Sequence, residues 1–422
     1  MKNINRKIYL LFVFTALLMN CSDTISPDSD EIPQLPRNLS KSEQTLIESS
    51  NAFGFDLFKV LSEEVGDSNL FLSPVSVSMA LGMTANGAAG STLEAMHSTL
   101  GFENLTEDEI NQSYQSLINL LRSLDAQVKF RIANSIWYRN EFTVLPTFIN
   151  VNQTYFDAVV RGLDFNQDAA VDTMNGWIEE QTEGLIKQLL EKPIDPLTVM
   201  FLLNAIYFKG TWTYQFNAEY TQKASFYLNN DETADCQMMS LRSDFDYAET
   251  DELQIIDLPY NDGYFAMTVL LPESGFDTDS LISALTDEKW NDLISGFSKT
   301  TVDLYLPKFK LEWFRILNDP LIKLGMGIAF CFGGHADFTR INPEANLIGL
   351  YISEVRHKSF IEVDEEGTEA AAATSVEITY KGGSNNTVDV TQMRVNRPFI
   401  FAVRERASGT ILFIGKIVNP NG

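Results

Sequence analysis

The spacing of hydrophobic residues predicts that the folded part of the chain begins with an amphipathic helix near residue 41. Phe53, Leu57 and Val60 recur at the three- and four-residue spacings that place side chains on one helix face. Ser40 and Glu43 precede them with the pattern of a capping box, in which two side chains satisfy free amides at the start of a helix.

A second helix is predicted to lie inside the core. Ser73 and Pro74 form an N-cap followed by proline at the first helical position, and residues 74–86 are almost all apolar or small. A helix that is apolar on every side is usually buried. Further helices are predicted after the capping patterns Ser91–Glu94 and Thr106–Glu109, the first ending at Gly101, and over residues 146–158, 169–190, 279–294 and 313–324.

Strand patterns are concentrated in the second half of the chain. Residues 198–207 are apolar except for Asn204, which is typical of a strand buried on both faces in the middle of a sheet. The lone amide must find hydrogen-bond partners there. Other strands are predicted over 128–138, 265–271, 301–309, 355–363, 399–404 and 410–417, the last two forming a hairpin. Helices early and strands late indicate an α+β fold.

The segment from residue 365 to residue 386 carries two conflicting patterns. Its end is rich in glycine, serine and asparagine, which is typical of an exposed loop. Its first part alternates like a half-buried strand, since every second residue is small or apolar: Thr368, Ala370, Ala372, Thr374, Val376, Ile378. The alanine run also favours a short helix. These residues alone leave open a helix, an ordinary edge strand, or a segment that switches between loop and strand.

The first 20 residues have the pattern of a removable export signal. Three basic residues precede an apolar run over residues 8–19 that is too short to span a membrane comfortably. Cys21 follows at a position that resembles the lipid-carrying cysteine of bacterial lipoproteins, although Asn20 replaces the small residue usual before it. An ordinary secretory signal is the alternative. Residues 21–40 are rich in proline, serine and aspartate and are predicted to be a flexible, lipid-anchored linker.

Composition and charge argue against several classes of function. The net charge of -26 repels phosphate backbones, so a nucleic-acid partner is not expected. The three histidines are scattered and Cys236 and Cys331 lack metal-binding spacing, so neither a metal nor a cofactor is expected. In an exported protein the two cysteines could form one disulfide or stay as free buried thiols. The sequence has no serine-hydrolase elbow, zinc-protease or nucleotide-loop pattern, so an enzyme is not expected.

Six motifs, in the correct order, resemble those of the serpin family. They are residues 69–76 (NLFLSPVS), 203–212 (LNAIYFKGTW), His357 within 355–358 (VRHK), 365–374 (EEGTEAAAAT), 395–401 (VNRPFIF) and 414–420 (IGKIVNP). The resemblance covers about residues 41–422. It implies an α+β serpin fold, with helices packed around a large central mixed β-sheet and two smaller sheets. It also implies an exposed reactive-centre loop at about residues 365–394.

The resemblance also implies a mechanism and a set of site residues. A serine protease would cleave the loop and form an acyl-enzyme, and the cleaved loop would then insert into the central sheet of a metastable, monomeric inhibitor. The implied insertion hinge comprises Glu365, Gly367, Thr368, Glu369, Ala370, Ala371, Ala372, Ala373 and Thr374. Ser73, Ser76, Asn204 and His357 resemble the polar network beneath the sheet, where the sheet must part. For each of these four residues, the alternative is an ordinary buried polar side chain whose hydrogen bonds are made within a static core.

Counting along the loop predicts which bond the protease cleaves. Counting forward from the hinge with the spacing that the family resemblance implies places it between Lys381 and Gly382, which suits a trypsin-like protease with an acidic specificity pocket. Counting back from residues 396–399 instead reaches Thr387, because the loop is longer than usual on that side. The hinge count is preferred since insertion length matters most, with Tyr380 and a chymotrypsin-like protease as the second choice. Inhibition of cysteine proteases, and a non-inhibitory binding module, remain alternative functions.

The same reasoning predicts the location of the protein. A lipid on Cys21 would attach it to a membrane, as an exported lipoprotein of a bacterial cell envelope or cell surface. Without the lipid it would be secreted.

Overall fold

The computed structural model describes residues 32–229, 232–368 and 390–422. Several predicted features lie outside these residues: the export signal, Cys21, hinge residues 369–374, and the proposed bond between Lys381 and Gly382.

The first helices begin close to their predicted caps. Helix α1 (Lys41–Val65) follows Ser40 with both hydrogen bonds of the capping box, and α2 (Pro74–Ala85) follows Ser73 and is almost entirely buried. Helix α4 (Glu107–Ser123) follows Thr106, again with a complete capping box. The predicted Ser91 cap is wrong because α3 (Gly90–Leu100) begins one residue earlier, after Ala89, which has no side-chain cap.

Three of the predicted helices are wrong over part of their length. Helix α5 (Pro146–Phe156) matches its prediction, but α6 (Asp168–Gln181) stops well before residue 190, since Glu183 and Gly184 have φ of 50° and 88°. The single helix predicted over 279–294 is two, α7 (Thr278–Ala284) and α8 (Asp287–Ser295). Residues 313–316 are strand, and only short helical segments follow: α9 (Asn318–Leu321), turns at 322–326 and 327–330, and α10 (Ala345–Ile348).

The strands follow in chain order. They are β1 (Leu70–Leu72), β2 (Lys129–Arg139), β3 (Val159–Leu163), β4 (Met200–Thr211), β5 (Gln222–Tyr227), β6 (Thr233–Glu249), β7 (Leu253–Tyr260), β8 (Phe265–Pro272), β9 (Ser298–Pro307), β10 (Phe309–Ile316), β11 (Arg356–Val363), β12 (Gly367–Thr368), β13 (Thr391–Arg394), β14 (Phe399–Glu405) and β15 (Ile411–Ile417).

Two sheets contain these strands. One has the order β10-β11-β12-β4-β2-β3 and is mixed, because β3 runs parallel to β2 while the other pairs are antiparallel. The other has the order β1-β15-β14-β8-β7-β6-β9-β13, with β5 also paired to β6. Strand β6 is 17 residues long and pairs with β5, β9 and β7 in turn. It therefore joins the two smaller sheets that the family resemblance implied into this one nine-stranded sheet.

Two apolar clusters hold the fold together. The larger joins both sheets to α1, α2 and α4. The smaller packs α6 and the segment after it, through Ile186, Leu189 and Leu190, against β2 and β4 of the six-stranded sheet. The positions predicted as helix over 182–190 are therefore apolar because they cover a sheet, a role that needs no helical backbone.

The residues just before α1 belong to the folded body. Leu35 and Leu39 pack against the larger cluster, and the Arg37 guanidinium lies 2.5 Å from the Glu43 carboxylate. Burial of Glu43 favours its neutral form, but the hydrogen bonds from Arg37, Ser116 and the Ser40 amide, together with the charge of Arg37, outweigh this and lower the pKa of Glu43 to about 2. The predicted flexible linker is thus too long at its C-terminal end, because residues 32–40 pack on the fold.

The described residues also settle the pairing of the cysteines. Cys236 is buried and Cys331 is exposed, and both are free. The disulfide alternative is therefore wrong, and so is the expectation of a second buried thiol at Cys331. No described helix is long and apolar enough to cross a membrane, and no described group of histidine, cysteine or acidic residues is arranged to hold a metal ion.

Candidate functional site at the base of the loop

Strand β12 lies between two strands of the six-stranded sheet that otherwise have no described partner on their facing edges. Thr368 pairs with Val363 of β11 on one side and with Gly210 of β4 on the other, antiparallel to both. Its side chain is only 3% exposed, and its hydroxyl lies 2.6 Å from the hydroxyl of Tyr260. Gly367 and Thr368, where the alternating segment begins, therefore already form a strand. This strand lies at one end of the seam between β4 and β11.

Gly367 is needed because two backbones approach closely. A Cβ at this position would lie 2.1 Å from the carbonyl oxygen of Gly210 and 2.8 Å from the Cα of Thr211. Both neighbouring atoms belong to backbone, which cannot move aside without breaking the pairing of β12 with β4. The family resemblance only placed Gly367 in the hinge, whereas the structure shows a steric requirement for glycine at this position.

The turn from β11 into β12 is fastened by Asp364 and Trp212. The Asp364 carboxylate accepts hydrogen bonds from the amides of Glu366 (2.9 Å) and Gly367 (3.2 Å). The Trp212 indole donates to the Asp364 carbonyl at 2.9 Å, and the Trp212 amide donates to the Glu366 carbonyl at 2.9 Å. Trp212 also stacks on Tyr260 with ring centroids 4.5 Å apart, so the turn rests on a rigid aromatic base.

Glu365 ties the same turn to the other sheet. Its carboxylate accepts hydrogen bonds from the Lys308 ammonium at 2.5 Å and from the Thr221 hydroxyl at 2.7 Å. Burial opposes ionisation of this carboxyl, but these hydrogen bonds prevail and lower the pKa of Glu365. Glu365 therefore anchors the hinge at its starting point.

The four predicted polar residues come together in one hydrogen-bonded chain beneath the sheet. The Ser73 amide donates to His357 Nε2 at 3.2 Å, and the Ser73 hydroxyl accepts from the Ser76 amide at 3.3 Å. The Ser76 hydroxyl donates to the Asn204 side-chain oxygen. These hydrogen bonds thus connect β11, on one side of the seam, through α2 to β4 on the other side.

Two further buried polar residues were missed: Asn134 extends this network, and Ser359 lies beside it on β11. The Asn204 amide donates to the Asn134 side-chain oxygen at 2.6 Å, and Asn134 donates to the Phe156 carbonyl at 2.8 Å. The Ser359 hydroxyl donates to the Phe71 carbonyl at 2.6 Å. Each missed residue lies on the buried face of an alternating strand, Asn134 in line with Ile132 and Ile136 of β2 and Ser359 in line with Ile361 of β11. Asn204 itself is half-buried, whereas a strand buried on both faces was expected.

His357 is held neutral in this network. Its ring is buried and accepts a hydrogen bond at Nε2, and burial lowers its pKa from 6.5 to about 4. The imidazole can therefore serve as an acceptor at neutral pH, but a proton on Nε2 would remove the bond from the Ser73 amide.

The seam is covered from outside by the segment that follows α6. The Arg356 guanidinium donates to the Leu189 carbonyl at 3.2 Å, and the Lys358 ammonium donates to the Gln188 carbonyl at 2.9 Å. Phe360 of β11 packs against the smaller apolar cluster, which also contains Leu203 of β4. A strand added between β4 and β11 would have to pass beneath this cover.

The described chain resumes at residue 390 on the other sheet. Strand β13 runs parallel to β9, and the Arg394 guanidinium lies 3.9 Å from the centre of the Tyr305 ring. The undescribed segment 369–389 is therefore attached to a different sheet at each end, to the six-stranded sheet through β12 and to the nine-stranded sheet through β13.

Comparison with known proteins identifies this arrangement. Residues 48–420 match the family model described as Serpin (serine protease inhibitor). Intracellular coagulation inhibitor 2 of Tachypleus tridentatus is 34% identical over 383 residues, which cover 89% of this chain and 91% of the relative. The native crystal structure of the thermophilic serpin Tengpin is 32% identical with a TM-score of 0.79, covering 91% of this chain and 95% of that one. The crystal structure of human thyroxine-binding globulin is 28% identical with a TM-score of 0.81, and the match covers 90% of this chain and 100% of that one. The chain therefore belongs to the serpin family, the family of serine protease inhibitors.

Proposed function

We propose that this protein inhibits serine endopeptidases as a suicide substrate, by insertion of its cleaved loop into the six-stranded sheet. The protease serine would attack the Lys381 carbonyl carbon and release the Gly382 amine, leaving an ester between the two proteins. Insertion of the loop between β4 and β11 would then carry the ester-linked protease away and distort its active site. The protein would act as a monomeric inhibitor with no turnover of its own.

The observation that carries this proposal is the position of Thr368. Its side chain points into the core, and residues two apart in a strand share a face. Insertion in the same register would therefore place Ala370, Ala372 and Thr374 on the inner face, where small uncharged side chains can be buried. A charged residue there would oppose insertion by several kcal/mol.

The register also supports cleavage after Lys381. Since Thr368 lies opposite both Val363 and Gly210, residue 375 would come opposite Arg356 and residue 378 opposite Met200. Cleavage after Lys381 thus leaves enough chain to pair with β11 and β4 down to their first residues. Lysine at this position supports a trypsin-like target, and Tyr380 keeps a chymotrypsin-like protease as the second choice.

Incubation with trypsin tests the function and the bond together. We expect an SDS-resistant complex, and mass spectrometry of the released peptide should show a new N-terminus at Gly382. The Lys381→Ala variant should lose the complex with trypsin. Cleavage without a complex would instead support a non-inhibitory binding module, and a complex with papain in place of trypsin would support cysteine-protease inhibition.

We further propose that the mature protein is exported and held at a membrane by a lipid on Cys21, with residues 22–31 as the tether. The support is the sequence pattern before Cys21. Detergent-phase partitioning of the full chain expressed in a bacterium tests this, since Cys21→Ser should move the protein to the aqueous phase. Equal partitioning of both forms would indicate an ordinary secreted protein.

A further inference from the structure

The described chain enters the folded body beside the turn between β7 and β8. A Cβ added to Gly263 in this turn would lie 3.8 Å from the Pro33 ring. Leu35 packs against the larger apolar cluster and Arg37 is hydrogen-bonded to Glu43, so this entry point is fixed on the body. Since Pro33 comes two residues after the end of the tether, residues 22–31, the tether joins the fold at this turn.

The base of the reactive-centre loop lies at the same turn. The Gly263 amide donates to the Tyr260 carbonyl at 2.7 Å, and the Tyr260 hydroxyl lies 2.6 Å from the Thr368 hydroxyl. Because Cα atoms at the two ends of a hydrogen-bonded turn are less than about 7 Å apart, Thr368 lies within about 25 Å of Pro33. The point where the tether joins the fold and the point where the loop leaves the six-stranded sheet are thus neighbours.

The tether is short compared with the body that it holds. A segment of its length, ten residues, spans about 18 Å as a random coil and at most about 35 Å when fully extended. Strand β4 ends at Thr211, whose carbonyl accepts from the Asn261 amide in the turn at 2.8 Å. This strand has 12 residues, so its two ends lie about 36 Å apart. Only the end near Thr211 is held close to the lipid by the length of the tether.

We infer that the end of the fold that carries Pro33, Gly263 and Thr368 faces the membrane. We call it the membrane-facing end. This inference rests on the proposed function, which supplies both the lipid on Cys21 and the cleavage of the loop. The occupant of this surface is a lipid bilayer, and the uncleaved loop begins on the side of the body that the bilayer covers.

The orientation limits which proteases reach the loop. A protease of the size of trypsin is about 40 Å across, which exceeds the span of the tether even when the tether is fully extended. Such a protease cannot enter between the membrane-facing end and the bilayer and approaches the loop from the side. The inhibitor therefore acts on proteases at the membrane surface, and the length of the tether sets how readily they reach the loop.

Energy transfer on vesicles measures the orientation directly. The full chain is expressed in a bacterium and reconstituted into phosphatidylcholine vesicles that contain a fluorescent acceptor lipid. Neutral lipid is chosen because the net charge of -26 would oppose approach to an anionic surface. Cys331→Ser removes the exposed native thiol, and a donor dye is attached at Asp262→Cys or at Leu197→Cys.

The two labelled positions are matched, since each is exposed beside one end of β4. Asp262 lies in the turn next to Pro33, whereas Leu197 is 80% exposed three residues before β4 begins. We expect energy transfer to be at least twofold more efficient from position 262 than from position 197. Equal efficiencies, or the reverse order, would overturn the inference.

Inhibition kinetics test the consequence for the loop. Deleting residues 24–29 leaves a tether of four residues, which spans at most about 14 Å. On vesicles, this deletion should slow complex formation with trypsin at least fivefold, and twenty Gly/Ser residues inserted after residue 29 should restore the rate. The matched control is the same deletion in the Cys21→Ser chain, which has no lipid and should react at the unanchored rate. A rate on vesicles that does not depend on tether length would overturn the inference.

Failure of the proposed function gives different results. If the full chain in detergent forms no covalent complex with trypsin, inhibition is refuted, while the energy-transfer measurement still decides the orientation. If the wild type binds vesicles no better than Cys21→Ser does, the lipid anchor is refuted and the inference falls with it.

Discussion

Replacing Thr368 with arginine tests whether insertion begins at this position. Thr368 is 3% exposed, pairs with strands on both sides and lies 2.6 Å from the Tyr260 hydroxyl. An arginine must either bury its guanidinium without a carboxylate partner or leave the sheet and take β12 with it. Either outcome raises the barrier to insertion of the rest of the loop.

The size of the effect follows from the cost of an unpaired buried charge. Such a charge typically costs several kcal/mol in proteins, after relaxation and water penetration. If about 3 kcal/mol of this appears in the barrier, insertion slows about 150-fold, since each 1.4 kcal/mol is a factor of ten. Insertion competes with hydrolysis of the ester, so a slowing of this size converts the inhibitor into a substrate.

The assay is gel electrophoresis after reaction with trypsin, which separates the covalent complex from cleaved inhibitor. We expect T368R to give almost only cleaved product. Thr368→Ser keeps the hydroxyl beside Tyr260 and should trap trypsin nearly as the wild type does. If T368R forms complex at the wild-type stoichiometry, insertion does not begin at Thr368 and the reasoning is refuted.

Three further predictions concern the hinge and the network below it. Gly367→Ala should lower the unfolding midpoint, at a cost of about 1–3 kcal/mol, because the new Cβ meets the Gly210 carbonyl. Since the folded-state pKa of His357 is about 4 against 6.5 when exposed, stability should be full above pH 7 and fall by roughly 3 kcal/mol between pH 6.5 and pH 4, as the unfolded state takes up the proton first. Asn204→Ala should cost about 1–3 kcal/mol, since it leaves the buried side-chain oxygen of Asn134 without the donor it has in the wild type; denaturant unfolding measures this.

Each of these predictions has its own control. Gly176 lies in α6 with no atom within 4 Å of an added Cβ, so Gly176→Ala should be neutral or slightly stabilising. The pKa of His97 is also lowered, chiefly by burial, so His97→Gln must be compared with His357→Gln, and only the latter should remove most of the pH dependence. Asn166 is exposed, and Asn166→Ala should change stability by less than about 0.5 kcal/mol. Equal effects in a variant and its control would contradict the corresponding prediction.

Within the described residues, sequence reasoning pointed to Thr368 and Asn204 because their signals are local. The alternation from Thr368 onward is a period-two pattern, and lone polar residues in apolar strands, such as Asn204, must be hydrogen-bonded wherever they lie. His357 could be identified only from the resemblance to the family. Asn134 and Ser359 carry a different local signal, a polar residue on the apolar face of an alternating strand, and could have been found from that alternation.

The wrong helix predictions arise where the spacing of apolar residues reflects which side chains are buried and does not determine the backbone conformation. Residues 182–190 are spaced like a helix, but Ile186 and Leu189 instead cover a sheet from an irregular segment. Residues 313–316 were predicted to be helical, but the whole of β10 pairs with β11 over eight residues, and this non-local pairing decides the conformation. Likewise, β12 becomes a strand only because two distant strands provide hydrogen bonds on both sides.

By itself, the sequence determined the caps of the main helices, the buried helix α2, and the alternation of small residues that begins at Thr368, because each depends on neighbouring residues and on helix or strand periodicity. The tertiary structure decided which strands meet. It placed Gly367 against the Gly210 carbonyl and joined Ser73, Ser76, Asn204 and His357 into one hydrogen-bonded network. These are contacts between residues far apart in the chain, so the periodicity of any single segment contains no information about them.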